Sequence, residues 1–182
     1  MKIVALGASN SRNSINQKLA VHACDVLVAE FSPDAEIEIL DLNKFEMPIY
    51  SIDRQAESGI PEQAHRFFDA MTSADAIIIS FAEHNGSYAV AYKNVYDWAS
   101  RIDMKVFQDK PILLMSASVG SHGGANVLKS AVSSIPHFGG DVKASFSVGP
   151  FAEFFDEAAA QLVDAGLSQT LRKALGELLI DQ

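Results

Sequence analysis

The sequence predicts one α/β domain, a parallel sheet covered by helices on both faces, and three observations predict it. Short apolar runs alternate with segments of helical spacing along the whole chain. The first, third and fourth runs are apolar at nearly every residue, as in strands buried on both faces. No Pro/Gly/Ser-rich linker and no internal repeat interrupts the alternation. A chain of 182 residues, 48% hydrophobic and 20% charged, is long enough for one filled core, so residues 1–182 are expected to form a single domain.

The elements follow in order. "KIVALG" reads as a buried strand, and Ile15, Leu19, Ala23, Val26 and Leu27 then recur at helical spacing. "EIEILDL" is a second strand, alternating at its start, followed by an irregular stretch from Asn43 to Gly59. Pro61 suits the first turn of a helix through "EQAHRFFDAM". "DAIIISF" is a third strand, and "YKNVYDWASR" a helix with Val95, Trp98, Ala99 and Ile102 on one side. "PILLMSA" is a fourth strand, followed by a glycine-rich turn and the helical "ANVLKSAVSSI". "DVKASFSV" is a weaker fifth strand, and Phe155 to Ile180 reads as one long helix or two short ones. Right-handed crossovers leave few windings for five such units, and the flavodoxin-like order 2-1-3-4-5, a three-layer sandwich, is the commonest.

Charge and composition exclude several function classes. A net charge of −9 argues against general affinity for nucleic acid or anionic membrane, which both need basic surface. No apolar run approaches the roughly 20 residues that span a bilayer, and the N-terminal run is too short for a signal peptide, so a cytoplasmic protein is expected. The single cysteine, Cys24, excludes an internal disulfide and a cysteine-based zinc site, and no metal site is expected. Cys24 sits in an apolar helical pattern and reads as a packing thiol.

The winding predicts a place for function. Ligands of such sheets bind beyond the carboxyl ends of the strands, where the strand order reverses. The loops there are "GASNSRNSIN", "AEHNGSY" and "SASVGSHGG". The first leads into a helix whose leading N–H groups and dipole favour an anion. It is neither a Walker A loop nor G-x-G-x-x-G, which points to a single terminal phosphate held by Ser9, Ser11, Arg12, Ser14 and Asn16, with Ile15 between them. Taken alone, the loop is better explained by Ser14 capping the helix. In the second loop, Asn85-Gly86 marks a tight turn whose backbone would face the polar edge of a planar heterocycle. The small residues of the third would let backbone approach a ring closely.

These residues carry a resemblance that spans nearly the whole chain. The sequence resembles the NADPH-dependent FMN reductase family, flavodoxin-like flavoproteins that include quinone, chromate and azo-dye reductases. Ser9, Ser14 and Asn16 occupy matching places in that family's G-S-x-R-x-x-S-x-N loop, and "AEHNGSYAVAYKNVYDWASR" resembles its P-E-Y-N-x-S…L-K-N-x-x-D-W pattern. Ala82 stands where proline is usual, His84 where tyrosine is common, and the first-loop arginine is displaced to Arg12.

The resemblance implies FMN as cofactor, NADPH or NADH as hydride donor, and quinones, free flavin or similar small molecules as acceptors in a ping-pong cycle. It places Ala82, Glu83, His84, Asn85 and Gly86 at the pyrimidine edge and N5 side of the ring. It places Ser116, Ser118, Val119, Gly120 and Gly123 along its other side, with N–H groups from Ser118 to Gly120 facing the charge near N1 and O2. No catalytic acid or base is implied; His84 and His122 read as surface hydrogen-bonding residues. Glu83 reads either as a solvated carboxylate or as a bridge to a partner subunit. Tyr88, Tyr92, Tyr96 and Trp98 read as helix packing, with part of the cluster available to the interface of the homodimer or homotetramer that the resemblance implies. Two other functions stay open: an FMN electron carrier without nicotinamide activity, and a non-redox module binding a phosphate-bearing ligand.

Overall fold

The computed structural model describes residues 1–180. The main sheet is formed by β1 (Lys2–Ala8), β2 (Glu36–Leu40), β3 (Ala76–Phe81), β6 (Lys110–Ala117) and β7 (Gly140–Val148). Their spatial order is β2-β1-β3-β6-β7, all neighbours parallel, which is the expected 2-1-3-4-5 winding. Two short antiparallel pairs stand outside it: β4 (Glu83–His84) with β5 (Ser87–Tyr88), and β8 (Phe155–Asp156) with β9 (Gln161–Leu162).

The period-two alternation of the strands divides the core in two. Val4, Leu6, Ile77, Ile79, Ile112 and Leu114 point to one face and pack under α3 (Glu62–Ser73), α4 (Val90–Ala99) and α5 (Ala125–Ser134). Ile3, Ala5, Ile78, Leu113 and Met115 point to the other and pack under α1 (Ile15–Glu30) and α7 (Ala165–Leu178). Both faces of the central strands are therefore buried, and this is why their sequences are apolar without interruption. Cys24 is buried in the second layer, where burial pushes its thiol up to about 12, so it packs as a neutral group.

Three segments depart from the sequence reading. The irregular stretch after β2 contains a 3-10 turn at Leu42–Phe45, capped by Asp41, and the short α2 (Ile52–Ser58), capped by Ser51. Pro61 is the capping residue of α3 rather than part of its first turn. The expected helix from Phe155 is instead the β8–β9 hairpin, preceded by the short α6 (Phe151–Phe154) and followed by α7. Asp156 accepts from the N–H groups of Ala158 (2.8 Å) and Ala159 (3.1 Å), and Ala160 adopts φ 53°; this local turn overrides the helix propensity of three successive alanines. No helix of the described residues is long and apolar enough to cross a membrane. The last two residues of the expected domain lie outside the described residues.

Candidate functional site

The loops after β1, β3 and β6 meet at the carboxyl edge of the sheet. The first folds back tightly on α1. A Cβ on Gly7 would strike the backbone N of Gln17, and Gly7 N–H donates to Gln17 Oε1 at 2.6 Å. Ser14 caps α1, its Oγ accepting from Gln17 N–H at 3.2 Å, while Ser9 Oγ accepts from Ser11 N–H at 3.1 Å. A hydroxyl that accepts from the backbone keeps its own hydrogen to donate, so capping and anion binding are compatible at both serines. The N–H groups of Ile15 and Asn16 precede the first α1 backbone bond, from Lys18 N–H to Ser14 O. Ser9 and Ser14 border a cavity of about 350 Å³, which Ser11, Arg12, Lys18 and Asp41 also line. Lys18 pairs with Glu157 at 2.7 Å, and hydrogen bonds from Asn43 hold the Asp41 carboxyl below its ordinary range. Arg12 is exposed beside the serines.

Asn16 has a different side-chain role from the expected phosphate contact. It is buried, its Oδ1 accepting from Ser80 Oγ–H (2.8 Å) and Ala117 N–H (2.8 Å), its Nδ2 donating to Ala117 O (3.0 Å). The amide brackets the start of α1 to the ends of β3 and β6, and Asn16 is not among the residues that line the anion cavity.

In the second loop, β4 and β5 are joined by the two residues Asn85 (φ 52°) and Gly86 (φ 76°), the positive-φ pair of a type I′ hairpin turn. His84 is exposed, and a Cβ at Gly86 would meet nothing within 4 Å. Half-buried Glu83 is tied within its own chain rather than fully solvated. Its Oε2 accepts from Val127 N–H at 2.8 Å and its Oε1 from Asn126 Nδ2 at 3.3 Å, at the first turn of α5. Ala82 is buried behind the hairpin.

The third loop is held from beneath. Buried Ser116 donates to Gly123 O at 2.7 Å, and Ser118 Oγ donates to Gly120 O at 3.0 Å. Ser118 N–H donates to Val148 O at 3.3 Å, so it is spent on the sheet; of the three expected backbone donors, those of Val119 and Gly120 remain. Val119 is 86% exposed. Gly149 wedges under the turn, where a Cβ would strike Gly120 O and come within 2.5 Å of Gly123 Cα.

The sequence reading missed the wall supplied by the loop after β2. Met47 O and Pro48 O accept from Asn94 Nδ2 (3.1 and 3.2 Å), Tyr50 N–H donates to Asn94 Oδ1 (2.9 Å), and Trp98 Nε1 donates to Pro48 O (2.8 Å). Asn94 and Trp98 of α4 thus clamp this loop, which explains why the K-N-x-x-D-W stretch carries those residue types. The clamped loop borders a second cavity of about 630 Å³ that reaches His84 and shares Asn43 with the first. Tyr92, Tyr96 and Trp98 are buried within the chain itself, and half-buried Tyr88 packs against Tyr92 with its hydroxyl 3.1 Å from Ser134 Oγ, the helix packing that the sequence predicts. No group of three or more His, Cys, Asp or Glu among the described residues is placed to hold a metal.

Comparison with known proteins places this geometry. The chain is 30% identical over 125 residues to a quinone reductase of Escherichia coli and 34% identical over 123 residues to an NAD(P)H-dependent FMN reductase of Pseudomonas aeruginosa. These matches cover 69% and 68% of this chain, and the chain spans 64% of the length of each relative. A flavoenzyme NAD(P)H:(acceptor) oxidoreductase from Paracoccus denitrificans shares the fold, with a TM-score of 0.73 at 23% identity over 97% of this chain and 94% of that one. The family model of the NADPH-dependent FMN reductases matches residues 1–152, a span that contains all three loops and the clamp, and the chain belongs to that family.

Proposed function

We propose that residues 1–182 form one FMN-binding domain that passes hydride from NADPH or NADH to quinones, free flavin or similar small acceptors in a ping-pong cycle. The observation that carries this reading is the convergence of one anion-donor loop and two backbone-lined loops at the carboxyl edge of β1, β3 and β6. The residues fit the cofactor: Ser9 and Ser14 each keep a hydroxyl hydrogen for a phosphate, and Arg12 lines the same cavity. Bound FMN would supply two-electron chemistry between a hydride donor and an acceptor. The chain's own work is positioning. The hairpin at Asn85-Gly86 presents backbone to the pyrimidine edge, and Val119 and Gly120 offer N–H groups to negative charge. The names of the relatives, quinone reductase and FMN reductase, support this choice over a carrier or a non-redox module. A homodimer or homotetramer and a cytoplasmic location belong to the same reading.

The test is spectroscopic. The purified protein is expected to be yellow, to bleach anaerobically with NADPH or NADH, and to recover its colour with a quinone. A yellow protein that neither nucleotide bleaches is an electron carrier; a colourless one that cannot take up FMN is a module for another phosphate ligand. Sizing in dilute solution is expected to give a dimer or larger, and an FMN-loaded monomer would remove the oligomer from the reading.

A further inference from the structure

The two edges of the main sheet differ. On β7 the register slips between Ile112↔Val142 and Leu113↔Ala144, so Lys143 is the extra residue of a bulge, and its ammonium pairs with Asp141 at 2.7 Å. Bulges and edge lysines are devices that keep an edge strand from pairing with another chain. The opposite edge, β2, has neither. Its register with β1 is unbroken from Glu36 to Leu40, and among the described residues no strand pairs with its other side. Glu36 N–H donates to Met1 O at 2.9 Å, and the alternation of a parallel strand therefore turns the N–H and C=O groups of Ile37 and Ile39 away from β1.

The side chains of Ile37 and Ile39 form one wall of an apolar groove of about 250 Å³, and Val21 and Val28 of α1 form the other. Ile39 is 37% exposed. Asp25 is the sole charged group among the described residues that line the groove, and Asp34 and Glu36 are exposed just before and within β2. Glu36 and Glu38 project from the opposite face of the strand, where Lys2 reaches Glu38 at 2.7 Å.

We propose that the free edge of β2 docks an extended segment of a partner protein in which apolar residues alternate with lysine or arginine. Added as a sixth strand, such a segment takes up the outward backbone groups of Ile37 and Ile39. Its apolar side chains lie in the groove on the α1 side, and its basic ones face Glu36 and Glu38 on the other. Asp25 and Asp34 add to the acidic field that draws a cationic segment. A second copy of this chain does not fit that place, because antiparallel pairing of β2 with itself sets Glu36 and Glu38 among the same carboxylates of the copy. No residue of the groove borders the anion cavity, so the docking is independent of the flavin reading.

The probe is a capped heptapeptide, Lys-Val-Lys-Val-Lys-Val-Lys, titrated into the isotope-labelled protein as purified while backbone amide resonances are followed. The Ile37 and Ile39 amides are expected to shift saturably. The same peptide with glutamate for lysine should bind about tenfold or more weakly, and so should a peptide of the same composition with its lysines and valines in two blocks. Ile39→Pro removes an outward N–H and leaves the bonds to β1 in place, and it should abolish the shift at Ile37 with flavin content unchanged. Asp25→Lys combined with Glu36→Lys keeps the edge and should reverse the preference between the lysine and glutamate peptides, which decides the matter even if Ile39→Pro does not fold. Equal affinity for the alternating and block peptides would reduce the binding to general charge attraction and overturn the proposal. So would an unchanged preference in the charge-reversal variant, or shifts that leave Ile37 and Ile39 untouched. Concentration-dependent broadening of those two amides without peptide would give the edge to a second copy and overturn it as well.

Discussion

The carboxylate of Glu83 accepts a hydrogen bond from the backbone N–H of Val127 at 2.8 Å, so the loop that leaves β3 caps the helix that follows β6. The helix has no side-chain cap of its own, since its N-cap residue is Gly124. Glu83 supplies that cap from 44 positions away, and in doing so locks two site loops together. Glu83→Ala is expected to cost about 1–2 kcal/mol, lowering Tm by roughly 2–8 °C, with Glu83→Gln losing less because its amide oxygen still accepts. Thermal unfolding decides it; an unchanged Tm for Glu83→Ala would show that the cap carries no stability.

The anion cavity makes a prediction about selectivity. Arg12→Ala combined with Ser14→Ala should weaken FMN by about 2–4 kcal/mol, roughly 30-fold to 1,000-fold, and leave riboflavin nearly unchanged. Titration of the apoprotein with each flavin measures this. Equal losses for both would place the phosphate elsewhere.

Two glycines should fail in different ways. Gly86, at φ 76° with open space around its Cβ position, is expected to tolerate valine at a strain of order 1–2 kcal/mol, giving a soluble, folded protein with little bound flavin. Gly149 has no space, and Gly149→Ala should displace the turn at Gly120 and Gly123 at a cost of about 1–3 kcal/mol. Urea unfolding together with flavin content separates the two effects. Full FMN occupancy in Gly86→Val would take the hairpin out of the site.

His22 links stability to pH. Its ring packs edge-on against Phe155 at 5.8 Å, Nε2 accepts from Leu162 N–H at 3.4 Å, and burial holds its pKa below the ordinary 6.5. The unfolded chain therefore binds the extra proton first as pH falls. This contribution is whole above pH 6.5 and is lost as the pH falls from there toward the folded-state value. Urea midpoints compared between about pH 7.5 and pH 5 should fall less in His22→Gln than in the wild type. Parallel curves would show that His22 does not contribute.

The strand order and both helical layers were legible because Ile77-Ile78-Ile79 and Leu113-Leu114-Met115 are apolar on both faces, a pattern that a partly exposed strand does not need. The Asn85-Gly86 turn was legible because few residue pairs accept two positive φ values in succession. The hairpin at Phe155–Leu162 was not. Its alanines have high helix propensity, and a single carboxylate, Asp156, redirects the backbone. At the candidate site, side-chain partners were not legible: the obligation of Glu83 to Val127 depends on how β3 and β6 sit side by side. The loop after β2 went unread because its amides and apolar residues gain meaning only when Asn94 and Trp98 seize its backbone.

The bracket at Asn16 bears on the order of folding. Its bonds reach Ser80, 64 positions along the chain, and Ala117, 101 positions along, so they close only after β1, β3 and β6 have come together. Contacts of such separation repay their loop-closure entropy late on the folding path. The anion cavity at the start of α1 is consequently finished after the sheet that supports it, and a chain caught partway has strands but no functional crevice. Stability stored in such late contacts resists unfolding more than it hastens folding. The residue that most resembles a ligand contact in the sequence thus governs how long the completed site persists.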